Sequence, residues 1–160
     1  MILSKMKPLP LRNLKMFPEK PELSITIPSK TELLKMVVEL TKHIATINQF
    51  TSSDSQKIAL AVDEAITNVM KHSYLWKKDK DIKLEYYTNG NGLKIKIIFT
   101  GIPPVLSKEG VDLNKYIREK RKSGLGVELM KRIMDSVEYK TIDDINYCEM
   151  IKWKTKKLSG

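Results

Sequence analysis

Cysteine occurs once, at Cys148, so no internal disulfide is available and a reducing, cytoplasmic setting is the expectation. Only two histidines, His43 and His72, accompany that thiol, too few for the ligand set of a zinc site. No apolar run approaches the roughly 18 residues of a membrane span. The basic start "MILSKMKPLPLRNLKMF" is interrupted by prolines and followed by no small-residue cleavage site, which makes it a poor signal peptide. Zinc-finger spacing and aromatic-basic ribonucleoprotein motifs are both missing. No internal repeat is present, so a solenoid is excluded.

What remains is the composition of one globular domain. The 160 residues can bury a sizeable core but are too few for two domains, and 41% hydrophobic with 30% charged residues is ordinary. The net charge of +10 is concentrated at the ends. Residues 1–20 hold five Lys or Arg against one Glu, and 147–160 hold four Lys against one Glu. Two readings stand: a contact with nucleic acid or an acidic partner, or a pair of solvated tails. Without a nucleic-acid motif, the second is preferred and nucleic acid is not expected as a partner.

Pro8, Pro10 and Pro18, with lysines between them, give 1–20 the character of an extended arm, and the domain is expected over 21–157. "ELSITIPS" alternates at Leu23, Ile25 and Ile27 as a strand does. Ser29 and Glu32 have capping-box spacing before a helix that carries Leu33, Leu34, Val37, Val38, Leu40, Ile44 and Ile47. Ser53 and Gln56 repeat that spacing before a second helix, which is expected to end around His72 to Tyr74. Ile82, Leu84 and Tyr86, then Asn-Gly-Asn-Gly, then Leu93, Ile95 and Ile97 predict a hairpin. A charged, aperiodic stretch follows, then a helix over "VELMKRIMDSV" and two strands around an Asp-Asp turn. The order β, α, α, β, β, loop, α, β, β predicts an α+β two-layer sandwich, with helices on one face of a mixed, mainly antiparallel sheet.

Three stretches carry polar chemistry. In "ALAVDEAITNVMKHSY", Ile58, Val62, Ala65, Ile66 and Val69 form an apolar stripe suited to a sheet. Glu64, Asn68 and Lys71 form a second stripe at i, i+4 and i+7. A carboxylate can take a proton and an amide oxygen can ligate Mg²⁺, but a solvent-facing polar edge looks the same. In "KSGLGVELMKRIMD", Gly124 and Gly126 open a helix whose exposed N–H groups could hold phosphate, or merely make a turn. Arg118, Lys120, Arg121 and Lys122 just upstream favour an anion. In "FTGIPP", a strand runs into Gly101 and two prolines.

Together and in this order, the three stretches resemble the GHKL ATPase superfamily, over roughly Leu23 to Lys154. "DEAITNVMKHSY" looks like its N-box, "FTGIPP" stands where it has Asp-x-Gly, and "SGLGVELMKRIMDSVEY" looks like its glycine box. The compact length is closest to the bacterial anti-sigma-factor serine kinases, related to histidine kinases. The resemblance implies a histidine-kinase-like ATPase fold that uses ATP and Mg²⁺. It implies Glu64 as general base, Asn68 as Mg²⁺ ligand, Gly101, Gly124, Leu125 and Gly126 as nucleotide-binding positions, and 103–122 as an ATP lid. The partners it implies are a sigma factor and a small anti-anti-sigma antagonist, and the assembly a homodimer. One position departs: Phe99 stands where the family has the aspartate that accepts the adenine amino proton. Losing a charged acceptor costs about 1.5–3 kcal/mol, roughly ten- to a hundredfold in affinity. Asn146 falls near the position where relatives have a threonine by the adenine. The alternative implied is a degenerate protein-binding module on the same fold.

Overall fold

The computed structural model describes residues 16–104 and 124–155. The arm up to residue 15 and most of the expected lid lie outside the described residues.

Among the described residues five strands form one sheet in the order β1 (Leu23–Pro28), β2 (Asp81–Thr88), β3 (Gly92–Phe99), β5 (Ile145–Trp153), β4 (Ser136–Ile142). The expectation allowed a mixed sheet; every pairing is antiparallel. Alternation decides the layers. Ile82, Leu84, Tyr86, Leu93, Ile95, Ile97, Cys148 and Met150 are all fully buried against the helices. The opposite face is polar: Lys96 stands in register with both Glu85 and Glu149, and Lys94 Nζ lies 4.4 Å over the Tyr87 ring. Both hairpin turns follow their sequence signals. Gly90 has φ +84, and Asp143 and Asp144 have φ 49 and 64. Gly92 is glycine for a different reason, since a Cβ there would lie 2.5 Å from Cε3 of Trp153.

Three α-helices among the described residues cover the apolar face: α1 (Leu34–Ile47), α2 (Ser52–Asn68) and α3 (Gly124–Ile133). Among the described residues no helix is long and apolar enough to cross a membrane. Both expected capping boxes are corrected. Ser29 does not cap α1; its buried hydroxyl donates to the Lys77 carbonyl at 2.5 Å and accepts from Lys80 N–H, tying β1 to the segment before β2. A 3₁₀ turn over Thr31–Leu33 leads into α1 instead. The cap of α2 is Thr51, whose hydroxyl accepts from Asp54 N–H at 3.1 Å, two residues before the expected Ser53. Burial of Phe50, with Gln49 at φ 68, fixes where the chain enters α2, and the nearest hydroxyl takes the cap.

One buried polar contact joins helix to sheet. Thr41, on α1, donates to the Val37 carbonyl at 2.8 Å, so its Oγ1 accepts from the Tyr86 hydroxyl, also at 2.8 Å. Thr41→Val leaves a fully buried hydroxyl without an acceptor and is expected to cost about 1–3 kcal/mol in urea unfolding. Adding Tyr86→Phe removes that orphan, so the double variant is expected to be more stable than Thr41→Val alone.

Candidate active site

The apolar stripe expected on α2 is buried throughout: Ile58, Val62, Ala65, Ile66 and Val69 are each at most 3% exposed. With that side against the core, Glu64 and Asn68 are left half-buried on the flank. α3 packs beside that flank. Its first three residues are Gly124, Leu125 and Gly126, and a helix has no internal acceptors for its first N–H groups. A Cβ on Gly126 would lie 2.5 Å from Glu64 Oε2 and 3.7 Å from Asn68 Nδ2. A side chain here would push the Glu64 carboxylate aside, so glycine leaves the acid in place, and the structure brings Glu64, Asn68 and Gly126 together from stretches about 60 residues apart in sequence.

Lys71 departs from the expected stripe. From Val69 to Ser73 the helix widens into a π turn, so Lys71 no longer follows Asn68 at α-helical spacing. Tyr74 N–H reaches back five residues to the Val69 carbonyl at 3.0 Å. Such turns recur at functional sites, and no spacing in the sequence announced this one.

Gly101 lies farther along, against the end of this turn. Its φ is +89, and a Cβ would collide with the Ser73 carbonyl oxygen. Phe99 is buried, with its ring edge-on to Tyr74 at 6.5 Å between centroids. Asn146, its register partner on β5, is fully buried; Nδ2 donates to the Gly101 carbonyl at 3.3 Å and Oδ1 accepts from the Thr141 hydroxyl at 2.7 Å. An open cleft of about 430 Å³ lies beyond, lined by Ser73, Lys80 and Ile102 among others, and is separate from the contact of Glu64 with Gly126.

Two residues were given no role by the sequence. Tyr74 organises the corner: its hydroxyl donates to the Asp81 carbonyl at 2.5 Å and accepts from Thr100 N–H at 2.9 Å. Its only advance signal is an aromatic next to an expected helix end. Asp63 is the other. Burial raises its carboxyl above the ordinary range, and burial followed by repulsion from Asp63 raises Glu64.

Residues 27–152 match the family described as the histidine kinase-like ATPase domain. The chain belongs to this family. The two stretches that resemble its glycine box and N-box lie against each other at Gly126. Within the family the chain is similar to proteins named serine-protein kinase RsbW. That of Listeria innocua is 25% identical over 73% of this chain and 78% of its own length. That of Halalkalibacterium halodurans is 29% identical over 74% and 75%. Among solved structures, the SiaB–SiaC complex of Pseudomonas aeruginosa matches with a TM-score of 0.54 at 12% identity, covering 93% of this chain and 96% of the other, and bears out the fold.

A carboxyl raised in the folded state favours folding in its protonated form. That stability is present below the unfolded pKa and is lost as pH rises through the folded one. Glu64→Gln stays neutral and is therefore expected to raise the Tm at pH 7–8 by about 1–2 °C. The gain should vanish near pH 4, and melting curves across that range check it.

Proposed function

We propose that the chain is a cytoplasmic ATP-dependent protein-serine/threonine kinase of a partner-switching system. In this reading it is an anti-sigma factor that acts as a homodimer and phosphorylates an anti-anti-sigma antagonist. The observation that carries the proposal is the contact of Gly126 with Glu64 and Asn68. It fits the phosphate and metal end of a nucleotide, because the missing Cβ lets the first turn of α3 lie directly against a carboxylate and an amide. The serine-protein kinases among the relatives support the reaction class.

Mg²⁺–ATP, when bound, supplies the phosphoryl group. Asn68 would ligate the metal through its amide oxygen. Backbone N–H groups of Gly124, Leu125 and Gly126, at the positive end of α3, would hold phosphate oxygens. Glu64 would accept the proton of the attacking hydroxyl, and burial and Asp63 move its basicity in the direction that helps. Fixed donors and a cation that match developing negative charge account for most of what phosphoryl transfer asks of a protein.

Phe99 favours a second reading, a protein-binding module whose nucleotide site has decayed. Titration calorimetry with Mg²⁺–ATP separates the two. The kinase reading expects micromolar, Mg²⁺-dependent binding that Asn68→Ala weakens at least tenfold, a loss of about 1.4 kcal/mol or more. Glu64→Ala is expected to keep binding and lose transfer to the antagonist by about 10²-fold or more. No heat at millimolar nucleotide would leave only the binding module.

A further inference from the structure

The polar groups at the corner formed by the end of β3, β5 and the π turn are paired with one another. Asn146 has both ends of its amide engaged, by Gly101 and by Thr141. Thr100 N–H is held by the Tyr74 hydroxyl and Ile102 N–H by the Ser73 carbonyl at 3.1 Å. The Tyr74 hydroxyl is itself spent on Asp81. Phe99, 2% exposed, contributes only hydrocarbon.

A protein separates one base from another mainly by hydrogen bonds that the wrong base leaves unmade. A site with buried, waiting donors or acceptors rejects an analogue strongly, and an apolar wall barely distinguishes isosteric rings. Aromatic and apolar contact is base-tolerant because every base has a π face. The other end of the site has kept its polar equipment in Glu64, Asn68 and the first turn of α3. Recognition is therefore weighted towards magnesium and phosphate.

We infer that this chain takes nucleoside triphosphates as a class and does not select adenine. The inference rests on the nucleotide-site reading above and assigns its specificity: Phe99 and the closed amide of Asn146 remove base readout, while Asn68 and Gly126 keep the polyphosphate.

The test is calorimetric titration of the full chain with ATP, GTP and CTP in turn, each with Mg²⁺, and with Asn68→Ala as the site control. The three dissociation constants are expected to agree within about fivefold, below the ten- to hundredfold that a charged acceptor supplies. All three should weaken together in Asn68→Ala. A wider gap in favour of any one base overturns the inference and leaves the nucleotide site standing. Binding that Asn68→Ala leaves unchanged places the nucleotides elsewhere and overturns both. Absence of heat with all three nucleotides likewise overturns both.

Discussion

Burial of Ile58, Val62, Ala65, Ile66 and Val69 holds α2 against the core, and that burial decides where its polar residues face. A fully buried Val or Ile side chain contributes about 1.5–3 kcal/mol relative to exposure, so turning the helix would forfeit several such contributions at once. With that side committed, Glu64 and Asn68 have only the flank available, and the flank is where α3 arrives. The helix is both a structural member and the carrier of the site because two periodic stripes share one cylinder.

The contact of α3 with the acid then depends on one missing methyl group. Gly126 lies so close to the Glu64 carboxylate that any side chain would have to displace it. The helix start therefore reaches the acid and the amide, and orphan N–H groups sit beside a carboxylate whose proton affinity burial has raised. A carboxylate beside the free N–H groups of a helix start is an electrostatically favourable neighbour for them. In the proposed reading the same donors serve phosphate.

The other end of α2 was settled differently. The π turn at Val69–Ser73 brings Tyr74 under Phe99 and closes the corner with hydrogen bonds among Tyr74, Thr100, Ser73 and Ile102. Gly101 follows from this closure, since its positive φ and its contact with the Ser73 carbonyl admit no Cβ. The glycine that the family resemblance assigned to nucleotide binding has a sufficient structural reason in this chain. The flank that carries Glu64 and Asn68 and the apolar corner at Phe99 are thus served by one helix that changes its winding between them.

The sequence by itself determined the elements and their layers. Period-2 alternation at Ile82, Leu84, Tyr86, Leu93, Ile95 and Ile97, and the stripe on α2, are local patterns with one economical burial. Asn-Gly and Asp-Asp turns follow from local backbone preference. Where α2 begins was not legible, because Ser53 is by type the better cap than Thr51, and the burial of Phe50 set the entry that gave the cap to Thr51. The π turn, the role of Tyr74 and the closed amide of Asn146 were not legible either. Each depends on groups distant in the chain: Tyr74 with Asp81 and Thr100, and Asn146 with Gly101. The motifs named Glu64, Asn68 and Gly126 separately; that a glycine and a carboxylate meet was decided only by the packing of α3 on α2, because close approach is a property of two surfaces and not of either one.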